Sequence, residues 1–195
     1  MTKPAFLQRL WGMGWGIAVL AVTLTSCLGD RVEIPEPQPK TTNPITLESS
    51  AFAPDAMIPA QYTCTGDNIS PPLAWSEVPP ETRSLALVMD DPDAPGGTFV
   101  HWVMYGLPPE TRQLAPALPG EPTLPSGGSQ GKSSFGKTGY GGPCPPSGTH
   151  RYSFRLYALD KPIDLPPGAT KAELFEAIDG SVLAIAQLIG RYSKP

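Results

Sequence analysis

Histidine is almost missing from this chain of 195 residues: there are two, His101 and His150. They lie far apart and do not form the His-x-x-x-His type of cluster that marks many zinc hydrolases. No Gly-x-Ser-x-Gly elbow is present either. Ser147 lies near His150, but in a Pro-Gly turn with no helix to supply an oxyanion hole. Cationic side chains are scarce, 14 against 18 acidic ones, and internal repeats are absent. Helical periodicity is weak. What the chain has instead is 26 prolines, 20 glycines and 40% hydrophobic residues, the balance of a β-rich, loop-rich domain with one packed core and not of a disordered chain.

Lys3 and Arg9 precede a stretch from Leu10 to Gly29 without charge, which closes on Leu24-Thr25-Ser26-Cys27. A basic start, an apolar middle and a small-residue end make an export signal over residues 1–26. The last four residues resemble the bacterial lipobox, in which the cysteine is lipidated and becomes the first mature residue. An uncleaved signal anchor is the other reading, since about 20 apolar residues can span a bilayer. Gly12, Gly14 and Gly16 weaken such a helix, and Cys27 sits where cleavage needs it. Residues 27–43 are then a lipidated N-terminus and a proline-rich extended tether, and residues 44–195 the domain. Loss of the two basic residues of the signal leaves 12 basic against 18 acidic residues, a formal charge of −6. Nucleic acid or an anionic lipid surface requires the opposite sign.

Within the domain, short apolar runs bounded by Pro-Pro pairs predict strands at Ile45–Glu48, Ser84–Met89, Phe99–Tyr105 and Tyr152–Ala158; the Ala184–Tyr192 run fits helix or strand by its pattern and is read as a further strand. A helix is predicted at Lys171–Ile178, with Thr170 as N-cap, Glu173 completing a capping box and Gly180 past its end. Cys64 and Cys144 remain once Cys27 is lipidated. Export permits a disulfide between them; two separately buried thiols are the alternative.

Both histidines fall in stretches dense in polar and turn residues. Asp91-Pro92-Asp93-Ala94-Pro95 runs on to His101-Trp102, and Gly139-Tyr140-Gly141-Gly142-Pro143-Cys144 runs on to His150-Arg151-Tyr152. Imidazole N–H groups and the Tyr152 hydroxyl can donate to a phosphate or carboxylate. Backbone N–H groups at Gly141 and Gly142 can turn toward an anion. Asp91 and Asp93 suit one of two roles: fixing histidine tautomers, or receiving the ammonium of a zwitterionic head group. Each residue alone also has a plain structural reading, since Asp-Pro-Asp is often only a turn and a histidine beside tryptophan is often a core group.

Taken in order, these motifs, with Pro59-Ala60-Gln61-Tyr62-Thr63-Cys64-Thr65-Gly66-Asp67-Asn68-Ile69-Ser70-Pro71-Pro72-Leu73, resemble the phosphatidylethanolamine-binding protein family, in its bacterial Raf-kinase-inhibitor-like branch. The likeness runs from about Ile45 to Tyr192. It implies a mostly β fold: a β-sandwich with a central antiparallel sheet, a smaller second sheet and short helices. It also implies a small anion pocket lined by Asp91, Asp93, His101, His150 and Tyr152, with Gly142 beside them. Gly106 departs from the family pattern, in which Asn or Asp commonly follows His-Trp at that point, so one turn contact is expected to be lost. The reading is a membrane-anchored lipoprotein of a bacterial cell envelope that binds a small phosphate-bearing anion or phospholipid head group, with no catalysis, cofactor, metal or nucleic acid. A regulator resembling a kinase or protease inhibitor is a further role that the resemblance raises. A metal-dependent hydrolase using the same Asp/His cluster is the alternative.

Overall fold

A computed structural model describes residues 35–41 and 44–195; the expected export signal, Cys27 and residues 27–34, 42 and 43 of the expected tether lie outside them. The strands are β1 (Leu47–Glu48), β2 (Leu73–Trp75), β3 (Ser84–Asp91), β4 (Phe99–Leu107), β5 (Gln113–Leu114), β6 (Ser129–Gln130), β7 (His150–Leu159) and β8 (Val182–Tyr192). They form two antiparallel sheets, a small one ordered β1-β2-β5 and a five-stranded one ordered β6-β4-β3-β7-β8. The fold is therefore mostly β, a sandwich of a central sheet and a smaller one, with a 3-10 turn at Ala60–Tyr62 and the helix α1 at Lys171–Ile178.

The alternation of side chains explains the layers. On β3, Leu85, Leu87 and Met89 join Trp102, Met104, Phe154 and Leu156 in a core shared with Leu47, Leu73, Trp75 and Leu114 of the small sheet. Ala86 and Val88 point the other way, where they meet Tyr157 and the helix residues Leu174, Phe175 and Ile178. A central strand covered on both faces reads as a continuous apolar run, and every residue of β3 is buried. The helix has the expected bounds and the expected capping box: the Thr170 side chain accepts from the Glu173 N–H while the Glu173 carboxylate accepts from the Thr170 N–H. Gly180 ends it with φ +64°, the left-handed conformation glycine adopts at little cost.

Two register shifts interrupt the β3–β4 ladder. Near Gly106 the pairing jumps from Leu85↔Leu107 to Leu87↔Met104, and Gly106 has φ +66°. Asn, Asp and Gly all tolerate that conformation, so the family departure at Gly106 keeps the turn geometry. The second shift lies between Met89↔Trp102 and Asp90↔Val100 and leaves His101 as the extra residue of a β-bulge.

The described part of the proline-rich segment, residues 35–41, lies along the domain as a strap. The N–H groups of Lys40 and Thr41 donate to the Val182 and Leu183 carbonyls at 2.9 and 3.0 Å, and Lys40 pairs with Asp160 at 2.6 Å. Glu36 accepts from the Tyr157 hydroxyl at 2.8 Å and pairs with Arg155 at 3.3 Å. Behind it Asp90, fully buried, meets both Arg155 and Lys171. One buried carboxylate faces two cations there, and Glu36 supplies the second negative charge; buried charges persist only when compensated in this way.

Candidate functional site

The cavity is built at the end of the central sheet where β3 finishes and β4 and β7 begin. Its volume is about 280 Å³, and Asp91, His101 and Cys144 line it together with Ala94, Pro95, Gly96, Gly97, Thr98, Phe99, Phe135, Pro145 and Pro146. The polar groups form a floor and the prolines and phenylalanines a collar.

Asp91 and His101 reach the cavity for different reasons. Asp91 is the last residue of β3 and is 3% exposed. Its Oδ1 accepts from the Asp93 N–H at 2.8 Å, closing the Asp-Pro-Asp turn, and its Oδ2 accepts from His150 Nδ1 at 2.7 Å. His101 is carried in by the bulge, a device that re-aims a side chain at the cost of one ladder position. Its Nδ1 lies 2.6 Å from the Gly141 carbonyl. A carbonyl only accepts, so Nδ1 carries the proton and Nε2 is the nitrogen left for a ligand. Phe99, Phe135 and Tyr152 enclose the ring, with centroids 5.2, 5.3 and 5.2 Å away. This burial depresses the His101 pKa below 6.5, against the opposing pull of the Gly141 carbonyl and the Asp91 and Asp90 charges.

The other expected site residues stand behind this floor. His150 is buried and braces Asp91. Asp93 faces outward and forms a two-pronged contact with Arg151, its Oδ2 accepting from Nε at 2.9 Å and its Oδ1 from Nη2 at 2.6 Å; the guanidinium holds the Asp93 pKa down to about 2. Tyr152 packs edge-on under His101. Its buried hydroxyl makes no hydrogen bond of ordinary geometry; it faces the Asp91 carboxylate, and burial together with that charge raises its pKa.

The N–H groups expected to face an anion at Gly141 and Gly142 are both spent inside the protein. That of Gly141 donates to the His101 carbonyl at 3.1 Å, and that of Gly142 to Asn68 Oδ1 at 2.8 Å. Gly142 instead serves close packing: a Cβ there would stand 2.5 Å from Asn68 Oδ1 and 2.6 Å from the Tyr62 carbonyl oxygen. Gly142→Ala should therefore cost roughly 1–3 kcal/mol of stability, visible as a lowered midpoint in thermal denaturation; an unchanged midpoint would contradict this packing.

Cys64 and Cys144 are joined, Cα to Cα 5.4 Å, across 80 residues. The bond ties the loop after the 3-10 turn to the wall of the cavity, and hydrogen bonds from Cys64 N–H to the Pro143 carbonyl and from the Tyr140 hydroxyl to the Tyr62 carbonyl run beside it. Phe99 and Phe135, in edge contact at 4.8 Å, form the apolar collar and were not singled out by the sequence. An aromatic residue inside the polar, Gly-rich Ser133–Gly136 loop was the one available signal for Phe135.

Comparison with known proteins agrees with this architecture. The profile of the family described as phosphatidylethanolamine-binding protein matches residues 48–193. A UPF0098 protein of Methanothermobacter thermautotrophicus is 51% identical over 150 residues, which cover 77% of this chain and 99% of that one. A Mycobacterium tuberculosis protein whose name describes it as a lipoprotein, LppC, is 41% identical over 189 residues, covering 89% of this chain and 91% of its own length. Among solved structures, one titled a homologue of phosphatidylethanolamine-binding protein, from Chlamydia trachomatis, superposes with a TM-score of 0.73 at 41% identity, covering 79% of this chain and all of that one. YbcL of E. coli, titled a member of the mammalian family of the same name, gives 0.71 at 30% identity, covering 77% and 99%. With the profile spanning three-quarters of the sequence and the same sandwich recurring in these relatives, the chain belongs to the phosphatidylethanolamine-binding protein family.

Proposed function

We propose that the chain is a binding protein, not an enzyme, which holds a phosphate-bearing ligand, in the fuller reading a phospholipid head group, on a bacterial cell envelope. One observation carries this reading: a small polar floor of Asp91 and His101 lies under an apolar collar. Protonated at Nε2, His101 donates to a phosphate oxygen, and a charge-assisted bond of that kind is among the stronger ones. Asp91 offers its remaining lone pairs to an ammonium.

Export and anchoring are supported by Leu24-Thr25-Ser26-Cys27, by the disulfide, which suits an oxidising compartment, and by the name of the mycobacterial relative. The hydrolase alternative has weaker support. Among the described residues no three His, Cys, Asp or Glu side chains converge as a metal site, and the Nδ1 atoms of both histidines are committed to protein acceptors.

Calorimetry with phosphoethanolamine and with inorganic phosphate tests the reading. Both should bind, and Asp91→Asn should weaken phosphoethanolamine relative to phosphate by about tenfold or more, as expected for a lost charge-assisted hydrogen bond to the ammonium, any change in His101 protonation being shared by the two ligands. Wild-type protein that binds neither between about pH 5 and 8, where imidazoles titrate, and that binds Zn²⁺ tightly through His101, would transfer the assignment to the metal site.

A further inference from the structure

We propose that the cavity mouth faces the bilayer that holds the chain and draws its head groups from that bilayer; this rests on the head-group reading above and on acylation of Cys27. The path of the strap is the first ground. The β7–β8 ladder runs from His150↔Tyr192 at the cavity end to Leu159↔Val182 at the far end. Lys40 and Thr41 bond at Val182 and Leu183, at the far end, whereas Glu36 reaches Arg155 and Tyr157, partway along. From Thr41 back to Glu36 the strap therefore climbs toward the cavity. The eight Cα–Cα steps from Cys27 to Pro35 extend at most about 29 Å, a leash roughly half as long as a wholly free tether would give.

The second ground is where apolar surface is exposed. Among the described residues the exposed large hydrophobic side chains are Met57, at 51%, and Phe135, at 45%. Phe135 stands at the mouth. Met57 bridges to Arg191, whose partner on β7 is Arg151, next to His150. Both thus lie at the cavity end, as insertion into a membrane interface requires. The acidic side chains Asp93 and Asp55 at that end are paired with Arg151 and Arg191, which lowers the cost of approach to lipid.

The collar is the third ground. Free phosphate has no use for Phe99, Phe135 and Pro145 around a polar floor, whereas a head group arriving with its glycerol and acyl chains does. The excess of negative charge on the mature chain favours a zwitterionic lipid over an anionic one.

The test uses the full lipidated chain in vesicles of phosphatidylethanolamine and phosphatidylcholine whose acyl chains carry bromine, which quenches tryptophan on contact. The domain's own Trp75 and Trp102 are buried, so an added tryptophan reports separately. Phe135→Trp probes the mouth. Lys161→Trp probes the opposite end, where the Lys161 carbonyl accepts from Ser84 at the start of β3. Quenching several-fold stronger at position 135 is expected; equal quenching at both positions, stronger quenching at 161, or none at either overturns the proposal. Phosphoethanolamine titrated into the lipidated chain with Phe135 and Lys161 unaltered, in detergent, reports on the cavity alone. Binding there without selective quenching at 135 overturns the orientation and leaves the head-group reading standing. Selective quenching without binding overturns the head-group reading, and with it the uptake of head groups from the bilayer.

Discussion

Affinity for a phosphodiester will rise as pH falls from about 7.5 toward 5.5, because His101 must take up a second ring proton to donate from Nε2. In the free protein burial holds the His101 pKa below its ordinary 6.5, so the ring is neutral at pH 7 and Nε2 carries a lone pair. A bound anion favours the imidazolium and raises that pKa. Between the free and bound values one proton is taken up per ligand, and affinity changes by about tenfold per pH unit, the limit that linkage allows for one proton. A phosphodiester is the clean probe, since its own charge is constant over this range. His101→Gln keeps a neutral donor near Nε2 but removes the titration. It should flatten the pH profile and weaken binding at pH 5.5 by about 1.5–3 kcal/mol, the worth of a hydrogen bond to a charged group. Stability without ligand must move the opposite way. A depressed pKa means that the unfolded chain binds the proton more readily, so the contribution of neutral His101 is full above 6.5 and is lost as pH falls through the lowered value. Acid should therefore destabilise the empty domain and favour the occupied one. A flat affinity profile in the wild type, measured by calorimetry at several pH values, would rule out His101 as the phosphate donor.

Breaking the disulfide will have the largest effect on stability. A cross-link spanning 80 residues restricts the unfolded chain by up to about 4.5 kcal/mol on chain-entropy grounds, with about 2–4 kcal/mol the usual observed range. For a domain of this size that corresponds to a fall in Tm of roughly 5–15 °C. Cys64→Ser combined with Cys144→Ser should show that fall in a thermal scan, with loss of head-group affinity, because Cys144 itself lines the cavity. An unaltered Tm would mean that the Gly142–Asn68, Tyr140–Tyr62 and Cys64–Pro143 hydrogen bonds suffice to hold the two loops together.

The strands β3 and β7 and the helix were legible in the sequence because one physical signal dominates each, whereas the run that became β8 fits helix or strand by its pattern alone. The predicted Ser84–Met89 is the first six residues of β3 and Tyr152–Ala158 the middle of β7, where unbroken burial or alternation marks the chain; Ala184–Tyr192 is all but the first two residues of β8. Thr170 and Glu173 set the helix start to the residue. The strands β2, β5 and β6 have three residues or fewer, too few for periodicity to appear. The predicted Ile45–Glu48 shrinks to Leu47–Glu48 for the same reason, since pairing across to Trp75 and Ala74 decides its length. At the site, the motif residues are neighbours in space, but motif membership could not separate Asp91 and His101 on the cavity floor from Asp93, Gly142, His150 and Tyr152 around and beneath it. That division depends on which partner each side chain finds: Arg151 for Asp93, Asn68 for the Gly142 N–H, Asp91 for His150. None of those pairings leaves a mark in local sequence.

The bulge at His101 has a consequence for how such a domain can gain or lose its ligand. Met89 pairs with Trp102 and Asp90 with Val100, so a chain lacking only His101 would have an uninterrupted ladder from Leu87 to Asp91, with the core side chains there still on their own faces. A one-codon deletion would then leave a sound sandwich that can no longer bind, and a one-codon insertion in a plain strand could create the opening move of such a site.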